Sequence, residues 1–129
     1  MKKRLLVVDD HVEITDLIRE IAETDGYEVS AINRSAEFFE RFDEINPDTV
    51  CIDIHMPDVD GIEILRWLSG RNCRAQVIIL SGGDPLFTKV AERIGAAANL
   101  SIKTLVKPFH LSEFRSILGV PSVAEKNMA

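Results

Sequence analysis

The chain has 129 residues, of which 46% are hydrophobic and 28% are charged, and its formal net charge at pH 7 is −6. This length fits one domain with its own core, and the negative charge argues against a broad basic surface for nucleic acid. No segment approaches the length of a membrane span, and no signal peptide is visible. Cys51 lies in an apolar run and Cys73 in a polar connection, so we expect no disulfide framework and a reducing, cytoplasmic location.

Two strand–helix units are predicted at the start of the chain. The apolar run Leu5–Val8 indicates a first strand, and the helix after it is expected to stop near Gly26. Val29–Ile32 is a weaker second strand, followed by a helix that Ser35 can cap and that Asn46-Pro47-Asp48 ends. The apolar positions at helical spacing are Ile14, Leu17, Ile18, Ile21 and Ala22 in the first helix, and Phe38, Phe39, Phe42 and Ile45 in the second.

The third predicted strand delivers a carboxylate to its C-terminal end. Val50–Ile52 has the apolar character of a strand that is covered on both faces, and Asp53 stands where this run stops. The turn residues Pro57, Asp58, Asp60 and Gly61 then precede the next helix. Because ligands of open α/β sheets bind beyond the carboxyl ends of the strands, we expect Asp53 to serve chemistry and not packing.

The second half of the chain repeats the pattern. Asp60 is expected to cap the third helix, and Pro85 suits the first turn of the fourth. The fourth strand is predicted at Val77–Leu80 and the fifth at about Lys103–Val106. The third helix is expected to face the sheet with Ile62, Leu65 and Leu68 and to place Ile64 and Trp67 on a more exposed face; the fourth has Phe87, Val90, Ala91 and Ile94, and the last has Phe114, Ile117 and Leu118.

This alternation of strand and helix predicts the fold class. Five β-α units with short connections indicate an α/β domain, in which a parallel sheet carries helices on both faces through right-handed crossovers. We assign residues 1–120 to this domain and residues 121–129 to a flexible tail or the start of a linker.

Four of the predicted strands end in polar groups that can act together. They are Asp9 and Asp10 after strand one, Asp53 at strand three, Ser81 at strand four and Lys107 at strand five. Three carboxylates in one crevice repel each other unless a cation is present, and Mg²⁺ prefers oxygen ligands of this kind. A carboxylate nucleophile, a cation, an ammonium and a hydroxyl are the groups needed to hold a phosphoryl group during transfer.

The chain resembles the receiver domain of two-component response regulators over about residues 3–118. Four motifs, each at a predicted strand end, carry this resemblance: Leu5-Leu6-Val7-Val8-Asp9-Asp10, Asp53-Ile54-His55-Met56-Pro57-Asp58-Val59-Asp60-Gly61, Ile79-Leu80-Ser81-Gly82 and Val106-Lys107-Pro108-Phe109. The resemblance implies a flavodoxin-like fold with a five-stranded sheet in the order 2-1-3-4-5. It also implies a cis peptide bond before Pro108.

The resemblance also implies roles for the polar residues. Asp53 would accept a phosphoryl group from a phosphohistidine on a sensor histidine kinase or a histidine phosphotransfer protein, and Lys107 and Ser81 would contact that group. Mg²⁺ would be held by Asp10, Asp53 and the backbone carbonyl of His55, with Asp9 acting through water. Phosphorylation would then switch a protein-interaction surface in phosphorelay signal transduction. The partners implied are a downstream protein or a fused output domain, with a homodimer possible and with neither nucleic acid nor membrane.

Several positions depart from the family pattern. Thr104 stands where receivers commonly carry an aromatic residue, and the region from Gly95 to Lys107 is longer than usual, which predicts a longer fourth helix or an extended loop. His55 lies two residues after Asp53, a position that in this family influences loss of the phosphoryl group. His11, His55 and His110 fit no metal motif, so we expect them to be solvated polar residues.

Two other functions remain open at this point. The chain can be a docking or dimerisation module that no longer responds to phosphorylation, which Thr104 favours and the intact acidic site disfavours. It can also be a phosphatase with an aspartyl-phosphate intermediate, although such enzymes usually have a second aspartate where this chain has His55. We do not otherwise expect an enzyme.

Overall fold

Five strands alternate with five helices along the chain. The computed structural model describes residues 2–56, 60–71 and 73–119, so the predicted tail 121–129 and the turn residues Pro57 and Asp58 lie outside the described residues. The strands are β1 (Arg4–Val8), β2 (Glu28–Ile32), β3 (Thr49–Asp53), β4 (Gln76–Ser81) and β5 (Ser101–Val106). The helices are α1 (Val12–Thr24), α2 (Ala36–Ile45), α3 (Gly61–Ser69), α4 (Pro85–Ala98) and α5 (Leu111–Leu118).

The strands form one parallel sheet in the order β2-β1-β3-β4-β5, as predicted. Val8 lies opposite Ile32 on one side and Ile52 on the other. Asp53 lies opposite Leu80, and Ser81 lies opposite Val106. This register brings the C-terminal ends of β1, β3, β4 and β5 to one edge of the sheet, where the polar residues of the four motifs follow.

Each face of the sheet is covered by a hydrophobic layer. Alternate strand residues such as Leu6, Val50 and Val77 pack with α2, α3 and α4, and Leu5, Cys51 and Ile78 pack with α1 and α5. Because both faces are covered, the central strands β1, β3 and β4 are buried at nearly every position, which explains why they appear in the sequence as continuous apolar runs, whereas the outer strands β2 and β5 contain exposed polar residues. No described helix is long and apolar enough to cross a membrane.

The prediction for the faces of α3 was partly wrong. Ile64 is fully buried in the core and not on an exposed face. Trp67 is half-buried and packs edge-on against Phe38, Phe39 and Phe42 of α2. The physical reason is that α3 contacts α4 as well as the sheet and the aromatic side chains of α2, so its buried stripe is wider than one contact would require. In α1, by contrast, Leu17 continues the apolar spacing but is 43% exposed.

The long region before Lys107 is accommodated within α4 and β5. Helix α4 extends to Ala98, and β5 begins at Ser101, two residues earlier than predicted. Asn99 ends the helix in the left-handed conformation, with φ of 56°. Gly95 faces Ile102 so closely that a Cβ atom there would collide with the isoleucine side chain. The extra residues therefore lengthen regular elements and do not form an extended loop.

Two caps and the peptide before Pro108 agree with the predictions. Asp60 caps α3 by accepting a hydrogen bond from the Glu63 amide at 3.0 Å. Pro85 is at the first turn of α4, where Asp84 is the cap and accepts from the Leu86 amide. The peptide between Lys107 and Pro108 is cis.

Candidate functional site

A lysine side chain joins three strand ends at the C-terminal edge of the sheet. The Lys107 Nζ atom lies 2.7 Å from Asp9 Oδ2 and 3.6 Å from Asp53 Oδ2. The first distance is a charge-assisted hydrogen bond, and the second is an ion pair without a direct hydrogen bond. Residues that follow β1, end β3 and follow β5 are thus brought together by one ammonium group.

Asp9 is completely buried, and each of its oxygens has a partner. Oδ2 accepts from Lys107, and Oδ1 accepts from the His11 amide at 2.9 Å and lies 3.0 Å from His11 Nδ1. The Asn33 side chain donates to the Asp9 carbonyl at 2.9 Å and to Thr15 Oγ1 at 3.0 Å. Since burial of a polar side chain is costly unless it is hydrogen-bonded, these contacts compensate for the complete burial of Asp9.

Asp53 is nearly buried and has fewer partners. It is 3% exposed, and its Oδ1 accepts a hydrogen bond from the His55 amide at 3.1 Å. Burial first, and then the charge on Asp9, raises the pKa of Asp53 to about 6, although Lys107 and the His55 amide act in the opposite direction. An additional positive charge nearby would therefore stabilise the ionised form of Asp53.

Asp10 has a buried oxygen without a hydrogen-bond partner. Among the described residues, its Oδ1 is the one buried side-chain nitrogen or oxygen that has no hydrogen-bond partner. Buried polar atoms are almost always paired, so an oxygen of this kind needs an explanation such as a bound ion or water. His11 Nδ1 lies 3.3 Å away, within ion-pair range. The hydrogen bond to Asp9, followed by the charges on Asp10 and Asp9, raises the pKa of His11.

The acidic residues form a cluster that fits a divalent cation. One ligand atom each from Asp9, Asp10, His11 and Asp53 lies within 4.8 Å of the others. Carboxylate oxygens are the ligands that Mg²⁺ prefers, and the Asp10 Oδ1 atom has no hydrogen-bond partner. The donor set therefore fits Mg²⁺.

The hydroxyl of Ser81 lies at the end of β4. Ser81 is fully buried, and its Oγ accepts a hydrogen bond from the Gly83 amide at 3.1 Å. A hydroxyl that accepts from its own loop still has its proton to donate elsewhere.

Gly61 allows α3 to begin against the end of β3. A Cβ atom at Gly61 would lie 2.6 Å from the Asp53 carbonyl oxygen and 2.8 Å from Ile54 Cα. The Gly61 amide donates to the Ile54 carbonyl at 3.0 Å. This backbone approach fixes the strand end from which the Asp53 carboxylate projects.

The surroundings of the site include one aromatic contact to α4. The ring of His55 packs edge-on against Phe87, with the ring centroids 4.4 Å apart. Thr104 is half-buried on β5, opposite Ile79. The loop after β3 is thus connected to the first turn of α4 by side chains.

Sequence reasoning missed two residues of this site. His11 was expected to be a solvated residue outside any metal cluster, but although its side chain is 60% exposed, its ring contacts both Asp9 and Asp10. Asn33, which follows β2, was not noticed at all and holds the Asp9 carbonyl. Both residues come shortly after a predicted strand, at the same edge of the sheet as the aspartates, and this position could have indicated that they belong to the site.

Comparison with known proteins finds response regulators and receiver domains. The family model for the response regulator receiver domain matches residues 5–118. The transcriptional regulatory protein TrcR of Mycobacterium tuberculosis is 31% identical over 110 residues, which are 85% of this chain and 41% of TrcR. A receiver domain from Clostridium thermocellum is 26% identical, with a TM-score of 0.77 and coverage of 98% of this chain and 99% of that one.

A further solved structure supports the fold alone. The CheY-like receiver domain protein from Methanospirillum hungatei superimposes with a TM-score of 0.81 over 100% of both chains at 22% identity. The chain spans less than half the length of curated relatives such as TrcR and the response regulator MprA of Mycobacterium tuberculosis.

A parallel five-stranded sheet in the order β2-β1-β3-β4-β5, with an acidic cluster and a lysine at the C-terminal ends of its strands, defines a flavodoxin-like domain. Within that class, the chain belongs to the family of response regulator receiver domains, which act in two-component systems.

Proposed function

We propose that this receiver domain accepts a phosphoryl group on Asp53 from a phosphohistidine of a histidine kinase or a histidine phosphotransfer protein. An Asp53 carboxylate oxygen attacks phosphorus, a P–O bond forms, and the P–N bond to the donor imidazole breaks. The imidazole nitrogen keeps the electron pair of the broken bond. Asp53 suits this role because it lies at the open edge of the sheet and its nearest charged partner is 3.6 Å away.

The position of Lys107 between Asp9 and Asp53 is the observation that carries this proposal. An ammonium group at this place compensates the negative charge that develops on the phosphoryl oxygens during transfer. Ser81 donates its hydroxyl proton to one of those oxygens once the phosphoryl group is present. Its present hydrogen bond uses only its acceptor capacity, so this donation requires no donor to be given up.

Asp10, Asp53 and the His55 backbone carbonyl hold Mg²⁺ in this proposal, and Asp9 contributes through water. The unpartnered Asp10 oxygen supports that assignment. When bound, Mg²⁺ supplies positive charge against the phosphoryl oxygens. Asp9 keeps Lys107 in place through their 2.7 Å hydrogen bond.

Phosphorylation acts as a switch through the surface formed by α4, β5 and α5. The modification adds strong acceptor oxygens and about −1.5 to −2 of charge, by analogy with phosphorylated hydroxyl groups. In receivers, an aromatic side chain at the position that corresponds to residue 104 commonly moves together with the hydroxyl residue on phosphorylation. This chain has Thr104 there and therefore lacks that ring. The contact between His55 and Phe87 offers another connection from the site to α4.

The partners follow from the family. Receiver domains of response regulators interact with histidine kinases and with output domains. The named relatives are longer than this chain and include transcriptional regulators, so a fused output domain or a separate protein target receives the signal. A homodimer is one form that the output can take.

The alternative of a docking module independent of phosphorylation is not favoured. Such a module has no need of a lysine paired with a buried aspartate beside an unpartnered carboxylate oxygen. The phosphatase alternative lacks a second aspartate, because the residue two positions after Asp53 is His55.

The proposal is tested by the intact mass of the protein after incubation with a small acyl-phosphate donor, with and without Mg²⁺. We expect a gain of one phosphoryl group that requires Mg²⁺ and is absent in Asp53→Asn, which keeps the shape of the side chain. Asp43→Asn, at an exposed aspartate of α2, is the control and should be modified like the original protein. A folded protein that gains no mass under any of these conditions would contradict the proposal.

A further inference from the structure

We propose that His11 is a metal ligand through Nδ1, so that this site binds first-row transition ions such as Co²⁺ and Mn²⁺ in preference to Mg²⁺. The inference rests on the proposed cation site at Asp10 and Asp53 and specifies which ion that site selects. It concerns a residue outside the carboxylate set that the proposed function requires.

The distances fit one octahedral ion. His11 Nδ1 lies 3.3 Å from Oδ1 of Asp10, a ligand of the proposed ion, and 3.0 Å from Oδ1 of Asp9, which would act through water. Neighbouring ligands of an ion with bonds of about 2.1 Å are about 3.0 Å apart, and opposite ligands are about 4.2 Å apart. The ligand atoms of Asp9, Asp10, His11 and Asp53 all lie within 4.8 Å of one another, which is close to that range.

The unpartnered Asp10 oxygen is an independent observation at the same place. Asp10 Oδ1 is buried and accepts no hydrogen bond, and His11 Nδ1 is beside it. An ion between these two atoms would give the oxygen the partner that buried polar atoms normally have. The imidazole nitrogen and the carboxylate oxygen would then both coordinate the same ion.

The backbone of His11 places the ring at the site, where Nδ1 lies 3.0 Å from Asp9 Oδ1. His11 precedes α1 in an extended conformation, and its amide donates to Asp9 Oδ1 at 2.9 Å. Its side chain makes no capping hydrogen bond to the helix. The ring is 60% exposed, so its removal creates no cavity. Coordination at Nδ1 requires only that the imidazole proton reside on Nε2.

The choice of ion follows from ligand chemistry. Carboxylate and carbonyl oxygens suit Mg²⁺, and imidazole suits transition ions, whose affinity for nitrogen-containing sites rises from Mn²⁺ through Co²⁺. A site of carboxylates alone already follows this order of affinity, and an imidazole nitrogen adds more to the binding of Co²⁺ than to the binding of Mg²⁺. The nitrogen of His11 is therefore expected to favour Co²⁺ and to contribute little to binding of Mg²⁺.

The test is calorimetric titration of the tag-free protein with CoCl₂, MnCl₂ and MgCl₂, together with the visible absorption spectrum of the Co²⁺-loaded protein. We expect His11→Ala to raise the Kd for Co²⁺ at least tenfold, to change the Kd for Mg²⁺ less than twofold, and to shift the Co²⁺ absorption bands. His110→Ala removes a histidine outside the cluster and is the matched control. Thermal unfolding of each variant checks the fold.

The possible results distinguish a failure of the role of His11 from a failure of the proposed function. Equal loss of Co²⁺ and Mg²⁺ affinity, or no loss of either, in His11→Ala overturns the role of His11 and leaves the proposed function standing. Tighter binding in that variant would mean that His11 is a counter-ion displaced by the metal, and it would also overturn the inference. A failure of the original protein to bind Mg²⁺, or an Asp10→Asn variant that still binds it normally, would instead contradict the proposed function.

Discussion

The carboxylates at the sheet edge are kept together against their mutual repulsion by contacts of single residues. Asp9 is paired with Lys107 and His11, whereas Asp53 receives one amide hydrogen bond and a more distant ammonium. Asp53 therefore carries an energetic cost in the metal-free protein. The proposed role of Asp53 requires this, because an oxygen that is to bond to phosphorus would have to remain free of other partners.

This cost predicts that Asp53→Asn stabilises the metal-free protein at neutral pH. Because the pKa of Asp53 is raised to about 6 in the folded state, the folded protein binds this proton more tightly than the unfolded chain does. The stabilising effect of that proton is complete below about pH 4 and is lost as the pH rises through 6. We expect the variant to gain up to about 3 kcal/mol of unfolding free energy at pH 7 and nothing below pH 4.

Urea unfolding in the presence of EDTA at several pH values measures this difference. Asp43→Asn, at an exposed aspartate, should show no such dependence on pH. A constant difference between Asp53→Asn and the original protein from pH 4 to 8 would disprove the explanation.

At the scale of elements, the junction between β3 and α3 decides where the Asp53 carboxylate lies. Helix α3 begins at Gly61 in direct contact with the backbone of the strand that it follows. Asp60 caps the helix just before this contact, and the Gly61 amide binds the Ile54 carbonyl. The strand end is thus held by the backbone of the next element and not by side chains alone.

We expect Gly61→Ala to lower the free energy of unfolding by about 1–3 kcal/mol, the usual cost of overpacking. The added Cβ would come within 2.6 Å of the Asp53 carbonyl oxygen, so the backbone has to move. Gly70→Ala, at the other end of α3, is the control, since its Cβ would meet nothing closer than 3.7 Å. Denaturant unfolding of the two variants is the measurement, and equal effects would contradict this account of the junction.

At the scale of the whole molecule, an ion pair between distant parts of the chain connects α1 and α5, which cover the same face of the sheet. Arg115 of α5 donates from Nε and Nη2 to the two oxygens of Asp25, at 2.9 and 3.0 Å. The Asp25 side chain is only 5% exposed. This bidentate contact to a buried carboxylate connects α5 to the C-terminal end of α1. The hydroxyl of Tyr27 also connects to α5, because it donates a hydrogen bond to the Leu118 carbonyl.

Removal of the arginine leaves a buried carboxylate without its partner. We therefore expect Arg115→Ala to lower the unfolding free energy of the domain by about 3 kcal/mol. Asp43→Ala breaks the exposed pair between Asp43 and Arg71 and should cost less than about 1 kcal/mol. Thermal or denaturant unfolding compares the two, and a similar cost for both would show that burial of Asp25 has no special weight.

Much of the architecture could be predicted from the sequence because the three central strands are buried on both faces. Continuous apolar runs located β1, β3 and β4, the mixed segments Val29–Ile32 and Lys103–Val106 predicted the two outer strands, and polar residues at the strand ends located Asp9, Asp53, Ser81 and Lys107 at one edge. The burial of Ile64 could not be predicted, because helical spacing does not tell which neighbours will cover a helix. The contact of His11 with both aspartates depends on the direction of one backbone turn, which no periodic pattern encodes.

The bond between Lys107 and Asp9 joins residues 98 positions apart, and this has a consequence for a chain that is still being synthesised. A ribosome-bound chain that lacks β5 has the aspartates but not the ammonium between them. Neither half of the site is complete until the last strand has been made and added to the sheet. Under the proposed function, competence to accept a phosphoryl group on Asp53 would therefore arise only after β5 has joined the sheet.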